Sequence, residues 1–253
     1  MRPWAIAFAA LLLALLVSTD LFAQMEIPLG TILPASLETS ISSRKAVPGK
    51  KVSARIMQDV PLRGRTVIPA GAKIVGQILS VEPAVSGTGA QVSLRFDTLV
   101  VRHQEVRLLT HLRALASSVD VRTAQSSIHG TDSGTPSNAE TTRQVGGELV
   151  YRGGGPVTRG SLRVGVPVPD GVLVRVSGDP TIGCGGEVPG GERLEALWVF
   201  SSDACGVFGY RHVEITHAGS TEPLGTVTLA TRSGNFTIHD GAGLLLRVDA
   251  VDK

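Results

Sequence analysis

Gly30-Thr31-Ile32-Leu33-Pro34-Ala35-Ser36-Leu37, Gly71-Ala72-Lys73-Ile74-Val75-Gly76-Gln77-Ile78 and Gly241-Ala242-Gly243-Leu244-Leu245-Leu246-Arg247-Val248 are three copies of one phrase. Each is a turn glycine, a small residue and a short run rich in aliphatics. Ile27-Pro28, Ile68-Pro69-Ala70 and Ile238-His239-Asp240 lead into them. A glycine behind a proline or an aspartate, followed by β-prone residues, is a turn that opens a strand. Forty-one positions separate Gly30 from Gly71, and 170 separate Gly71 from Gly241. That spacing excludes a solenoid, whose repeats recur at a fixed period. It predicts instead three strands of one antiparallel barrel, closed by the C-terminal strand after a long excursion.

Working outward, the rest of the chain carries the same grammar. Lys51-Val52-Ser53-Ala54-Arg55-Ile56 alternates polar and apolar behind the turn Pro48-Gly49, so one face is expected buried and the other wet. Gln91 to Phe96 and Gln104 to Leu108 alternate likewise. From His111 to Arg143 the chain turns polar, above all in Ser126 to Thr142. The reading is a polar loop over 113–146, with a short helix around Leu112 to Val119. Strand signals resume at Gly147, in Glu148 to Tyr151, Val172 to Val176, Leu194 to Phe200, His212 to Thr216 and Thr226 to Leu229.

The fold class is therefore all-β: an antiparallel β-barrel closed by the C-terminal strand, with a Gly-rich, disulfide-linked β insertion. The expected division is a signal peptide over 1–23, a barrel over 24–112 plus 236–253, the polar loop over 113–146, and an inserted β-rich unit over 147–235. The disulfide joins Cys184 and Cys205, the chain's two cysteines, with Gly183, Gly185, Gly186 and Gly206 beside them. In the chain-entropy model such a loop stabilises by roughly 3 kcal/mol.

In order along the chain stand Gly30-Thr31-Ile32-Leu33, Ile41-Ser42-Ser43, Pro48-Gly49, Val52 to Ile56, Asp59-Val60, Ile68-Pro69-Ala70-Gly71-Ala72, Ile74-Val75-Gly76, Val92 to Leu94 and Leu108. Thr237-Ile238-His239-Asp240-Gly241 and the hydrophobics to Leu246 end the series. This order resembles the C-terminal β-barrel domain of the TrbI-type conjugation scaffold proteins of type IV secretion. The resemblance covers about 27–112 and 236–249. It implies a barrel, and a structural or interaction module of the bacterial cell envelope whose partner is an envelope protein or a second copy. The family's Pro-rich stalk is not seen before the barrel phrases. Arg113 to Asn235 stands where the family carries a membrane-reaching helical hairpin.

The first residues read as export. Arg2 is followed by apolar sequence from Trp4 to Val17, and Leu21-Phe22-Ala23 offers a cleavage site before Gln24. The expected destination is the periplasm or cell envelope, with the extracellular space as the alternative. Charge is uneven: residues 24–110 carry eleven Lys/Arg against six Asp/Glu, and 111–253 carry twelve against fifteen. The basic half suits an anionic surface and allows peripheral membrane association. No basic run of five occurs and aromatics are scarce, so nucleic-acid binding is not expected.

Catalytic grammar is thin. His103, His111, His129, His212, His217 and His239 form no metal-ligand pattern, and no Gly-x-Ser-x-Gly elbow occurs. No cofactor, metal or catalytic residue is expected. Two alternatives stay open. Trp198 and Tyr210, with Phe200 and Phe208, are either core or a ligand-facing patch for carbohydrate. Glu187, Glu192, Glu195 and Asp203 around Cys205 are either a solvated acidic loop or the paired acids of a hydrolase. Asn235-Phe236-Thr237 fits a glycosylation pattern.

Overall fold

A computed structural model describes residues 26–64, 66–126, 141–152, 154–177, 193–216 and 224–251. The first part of the chain forms β1 (Ile32–Leu37), β2 (Ile41–Ser42), β3 (Lys51–Ile56), β4 (Val60–Pro61), β5 (Val67–Ile68), β6 (Lys73–Glu82), β7 (Gln91–Val101) and β8 (Gln104–Ala116). Helix α1 (Ser118–Gln125) follows. Then come β9 (Thr141–Arg143), β10 (Leu149–Tyr151), β11 (Val157–Arg159), β12 (Leu162–Val168), β13 (Gly171–Arg175) and β14 (Leu194–Ala196). The chain ends with β15 (Gly206–Phe208), β16 (Val213–Thr216), β17 (Val227–Thr231), β18 (Thr237–Ile238) and β19 (Gly243–Val251).

Six strands close a barrel in the order β8-β19-β1-β3-β6-β7, with β7 returning to β8, and every pair is antiparallel. Closure rests on β19, which pairs with β1 from Ile32↔Arg247 to Ser36↔Gly243 and with β8 from Gly243↔Ala116 to Val251↔Leu108. The C-terminal strand thus lies between two strands of the first half, as the third copy of the phrase predicted.

The turns explain why the phrase recurs. Gly30, Gly71 and Gly241 have φ of 80°, 87° and 78°, a left-handed backbone that a residue with a Cβ enters at a cost. In each copy the next residue donates to the carbonyl three positions back: Thr31 to Pro28, Ala72 to Pro69, Ala242 to His239. Each glycine N–H then donates to a residue near the end of the neighbouring strand, at 2.8 Å, in Val248, Ile56 and Leu37 respectively. A fourth turn does the same. Gly49, φ 82°, donates to Ile78, and Lys50 donates to Val47. The four turns form two reciprocal pairs: β1 and β19 lock each other's ends, and so do β3 and β6. The fourth turn escapes the sequence pattern because Lys50-Lys51 follow it instead of aliphatics.

Alternation sorts side chains into two cores. Leu33, Ala35 and Leu37 on β1, Val52, Ala54 and Ile56 on β3, and Leu244, Leu246 and Val248 on β19 fill the barrel. Opposite positions on the wall, among them Ile32, Leu245, Ala114 and Ala116, face a second layer. That layer is a six-stranded antiparallel sheet, β14-β13-β12-β11-β10-β9. Val150, Val157, Val172, Val174, Trp198 and Phe200 seal it onto the barrel wall. Each large aliphatic so buried contributes roughly 1.5–3 kcal/mol.

Two expected boundaries are corrected. The polar loop of 113–146 is largely regular where it is described. β8 continues to Ala116 because its small apolar residues fit between the two cores. The helix starts later than expected, at Ser118, where the Ser117 hydroxyl accepts from Asp120 N–H and caps the first turn. The segment 147–235 also divides. β10–β14, together with β9, make the second sheet, whereas β15, β16 and β17 join the barrel's own sheet. β15 runs parallel to β8, and β17 pairs with the first half of β7, beyond the stretch of β7 that β8 pairs with. The expected signal peptide over 1–23 lies outside the described residues.

Candidate functional site

The chemistry-bearing side chains gather where the second sheet meets the barrel. The β8–β19 pair carries two bulges, one at Arg113 and one at Asp249. A bulge gives one strand an extra residue and re-aims its side chain. Arg113 lies outside the barrel and is wholly buried. Its Nη2 donates to the carbonyls of Ser177 and Ser202, both at 2.8 Å. Among the described residues Nε and Nη1 have no hydrogen-bond partner. Burial pushes its pKa down to about 10, against the opposite pull of the Asp203 charge, and the nearby Arg247 lowers it further.

Around Ser202 the groups satisfy one another. Glu148, almost fully buried, accepts from Ser202 N–H at 2.9 Å and from the Ser202 hydroxyl. Arg159 reaches in from β11 and pairs with Glu148 at 3.2 Å and Asp203 at 2.9 Å. It also donates to Ser202 Oγ at 2.9 Å. Ser201 donates to Asp203 Oδ1 at 2.9 Å. The cluster ties β8, β11, the loop before β10 and the loop before β15 together. Ser202 is fully buried, so its hydroxyl is a structural donor and not a presented nucleophile.

A second tie comes from the barrel. Gln58, fully buried just after β3, donates to Val172 carbonyl at 2.7 Å and accepts from Val172 N–H and Trp198 N–H. Its amide thus acts as a stretch of backbone, extending the pairing of β13 across the junction. Gly171 is obligatory beside it, because a Cβ there falls 2.2 Å from Gln58 Oε1.

Trp198 is 2% exposed and belongs to the layer between barrel and second sheet. Tyr210 is half-buried, packs against the barrel core and hydrogen-bonds the His239 backbone. Burial raises its phenol pKa. The two aromatics serve different cores, which favours the core reading over the ligand patch. Phe200 is buried and Phe208 half-buried in the same layer as Trp198.

The described acids near Cys205 are engaged as well. Glu195 points into the junction and pairs with Arg193 at 2.9 Å. Burial raises its carboxyl pKa, and Arg193 partly offsets that. Asp203 is held by Arg159 and Ser201. Neither is a free acid facing a cleft. Glu187 and Glu192 lie outside the described residues. So does Cys184, and with it the expected Cys184–Cys205 bridge; Cys205 itself is buried in the second layer.

Among the described residues no group of three or more His, Cys, Asp or Glu could hold a metal. His103 and His212 sit in left-handed turns, with φ of 71° and 67°. His129 and His217 lie outside the described residues. The sequence reading missed one pair: His111 Nδ1 meets Asp249 Oδ1 at 2.7 Å, both side chains buried, across the strands that close the barrel. It also missed Gln58, Glu148 and Arg159. Arg113 alone left a signal, as one charge inside the apolar run Leu112 to Ala116.

No protein-family model matches the chain, and no curated protein matches it. Among solved structures it is similar to ComB10 of the Com type IV secretion system of Helicobacter pylori. The match has 28% sequence identity and a TM-score of 0.27, and covers 33% of this chain and 43% of that one.

Proposed function

We propose that the chain is an exported, non-enzymatic β-barrel protein serving as a structural or interaction module in the bacterial cell envelope, similar to the barrel of TrbI-type secretion scaffolds. One observation carries the reading. The strands whose ordered phrases resemble that family are the ones that close the six-stranded barrel, with β19 returning between β1 and β8. Export is supported by the leader-like sequence of residues 1–23. The junction supports a scaffold role: Glu148, Arg159, Ser202 and Asp203 are spent on one another and hold two layers together. The partner is an envelope protein or a second copy of this chain. Burial of Trp198 removes the support for a carbohydrate site. Of the four acids of the hydrolase alternative, Glu195 and Asp203 are ion-paired, which favours the non-enzymatic reading.

The test is cell fractionation joined to in-cell crosslinking of the epitope-tagged chain. The expected result is a processed protein in the periplasmic or membrane fraction, crosslinked to a discrete envelope partner or to itself. A protein recovered free in the medium, with no crosslinked species, would overturn the proposal.

A further inference from the structure

We infer that one end of the barrel, built around the loop 43–51, docks on an anionic lipid bilayer. The loop reads Ser43-Arg44-Lys45-Ala46-Val47-Pro48-Gly49-Lys50-Lys51. Arg44, Lys45, Lys50 and Lys51 are exposed. Among the described residues none of the four is in an ion pair. Val47, at the tip between the two basic pairs, is 57% exposed.

The loop is pre-ordered. Ser43 N–H donates to Phe236 carbonyl at 3.1 Å, Ala46 N–H to Ser42 carbonyl at 2.8 Å and Gly49 N–H to Ile78 carbonyl at 2.9 Å. Asn235 Oδ1 then accepts from the Ser43 hydroxyl at 3.0 Å and from Ala84 N–H at 3.2 Å. One side chain therefore staples the loop, the connection from β6 to β7 and the turn before β18 into a single rim. The β6–β7 connection presents Val85, 68% exposed, and the turn presents exposed Arg232. Glu82, Glu214 and Asp240 are exposed acids at this end, Glu214 in register with Glu82 across two intervening strands, and Asp240 already accepts from the Ser40 hydroxyl. Glu38 on the adjoining wall is paired with Arg55 and Lys73.

Unpaired lysines and arginines draw a surface toward anionic headgroups over about a Debye length. Valines at turn tips between them are placed to enter the headgroup–acyl boundary. An acidic protein would use the charges and leave both tips in water, so the bilayer fits more of what the rim presents. Because the loop is ordered by its own hydrogen bonds, docking costs little conformational entropy.

The inference deepens the envelope reading by naming a partner surface. It is tested on purified protein, so either can fail while the other stands. The chain is purified after export, in whatever form the cell leaves it. It is then sedimented with vesicles of phosphatidylcholine alone, or of phosphatidylcholine with roughly a third phosphatidylglycerol. Binding is expected to the anionic vesicles only, and to weaken as salt rises. The triple variant Lys45→Glu, Lys50→Glu, Lys51→Glu is expected to lose at least about tenfold. Val47→Ser, which changes no charge, is expected to lose a few-fold with unchanged melting. Arg163→Glu with Arg175→Glu, on the second sheet, is expected to bind as the parent does. Equal binding to neutral vesicles, full binding by the triple variant, or no vesicle binding alongside capture of an acidic protein through the same lysines would each overturn it.

Discussion

At the scale of single residues, two glycines of β6 and its turn show two different demands on the backbone. Gly71 is required for its φ of 87°, and nothing lies within 4 Å of where its Cβ would stand. Gly76 is required for space: a Cβ there would sit 1.7 Å from the carbonyl oxygen of Arg95, on the paired strand β7. Gly71→Ala is expected to cost about 1 kcal/mol, the penalty of a left-handed alanine. Gly76→Ala is expected to cost at least about 3 kcal/mol, because the β6–β7 pairing must part. Urea unfolding of both variants measures the difference, and equal costs would contradict the assignment. Both glycines stand in the second copy of the phrase, but only the turn glycine could be assigned a role from sequence. The need at position 76 belongs to a strand some twenty positions away.

Among the elements, the junction between barrel and second sheet rests on side chains that complete backbone pairing. Gln58 meets the N–H and carbonyl of Val172 and the N–H of Trp198 with a single amide. Gln58→Ala would leave the N–H groups of Val172 and Trp198 buried and unpaired, while the Val172 carbonyl keeps Leu197 N–H at 3.2 Å. The expected cost is roughly 3 kcal/mol, read as a shift in the urea midpoint. A change under about half a kilocalorie would show that the junction closes without it. The individual strands were legible before the structure, since alternation with a period of two marks both an element and its buried face. Partners across the junction were not. Gln58 follows a strand that it does not serve, and Val172 lies 114 positions further on.

The whole molecule depends on a closure that its last strand supplies. β19 gives β1 and β8 their partners and carries Asp249 to His111. A chain ended after Ile238 is expected to lose cooperative melting and to bind a hydrophobic dye, because Leu33, Leu112 and Leu115 would face water across an open wall. Near-ultraviolet circular dichroism with a thermal scan decides it. A sharp transition in the truncated chain would show that the first half folds alone.

The sequence by itself determined the turns, the alternating strands and the return of the chain at Gly241 to the grammar of Gly30 and Gly71. These are local properties, since a left-handed glycine and a period of two need only neighbouring residues. Only the tertiary structure decided which distant groups meet: Arg113 with the carbonyls of Ser177 and Ser202, Glu148 with Arg159, and His111 with Asp249. Bulges at Arg113 and Asp249 in the β8–β19 pair shift the alternation, so a count begun at one end of either strand fails at the other. A bulge is set by how two strands align, and that alignment is written in neither strand alone.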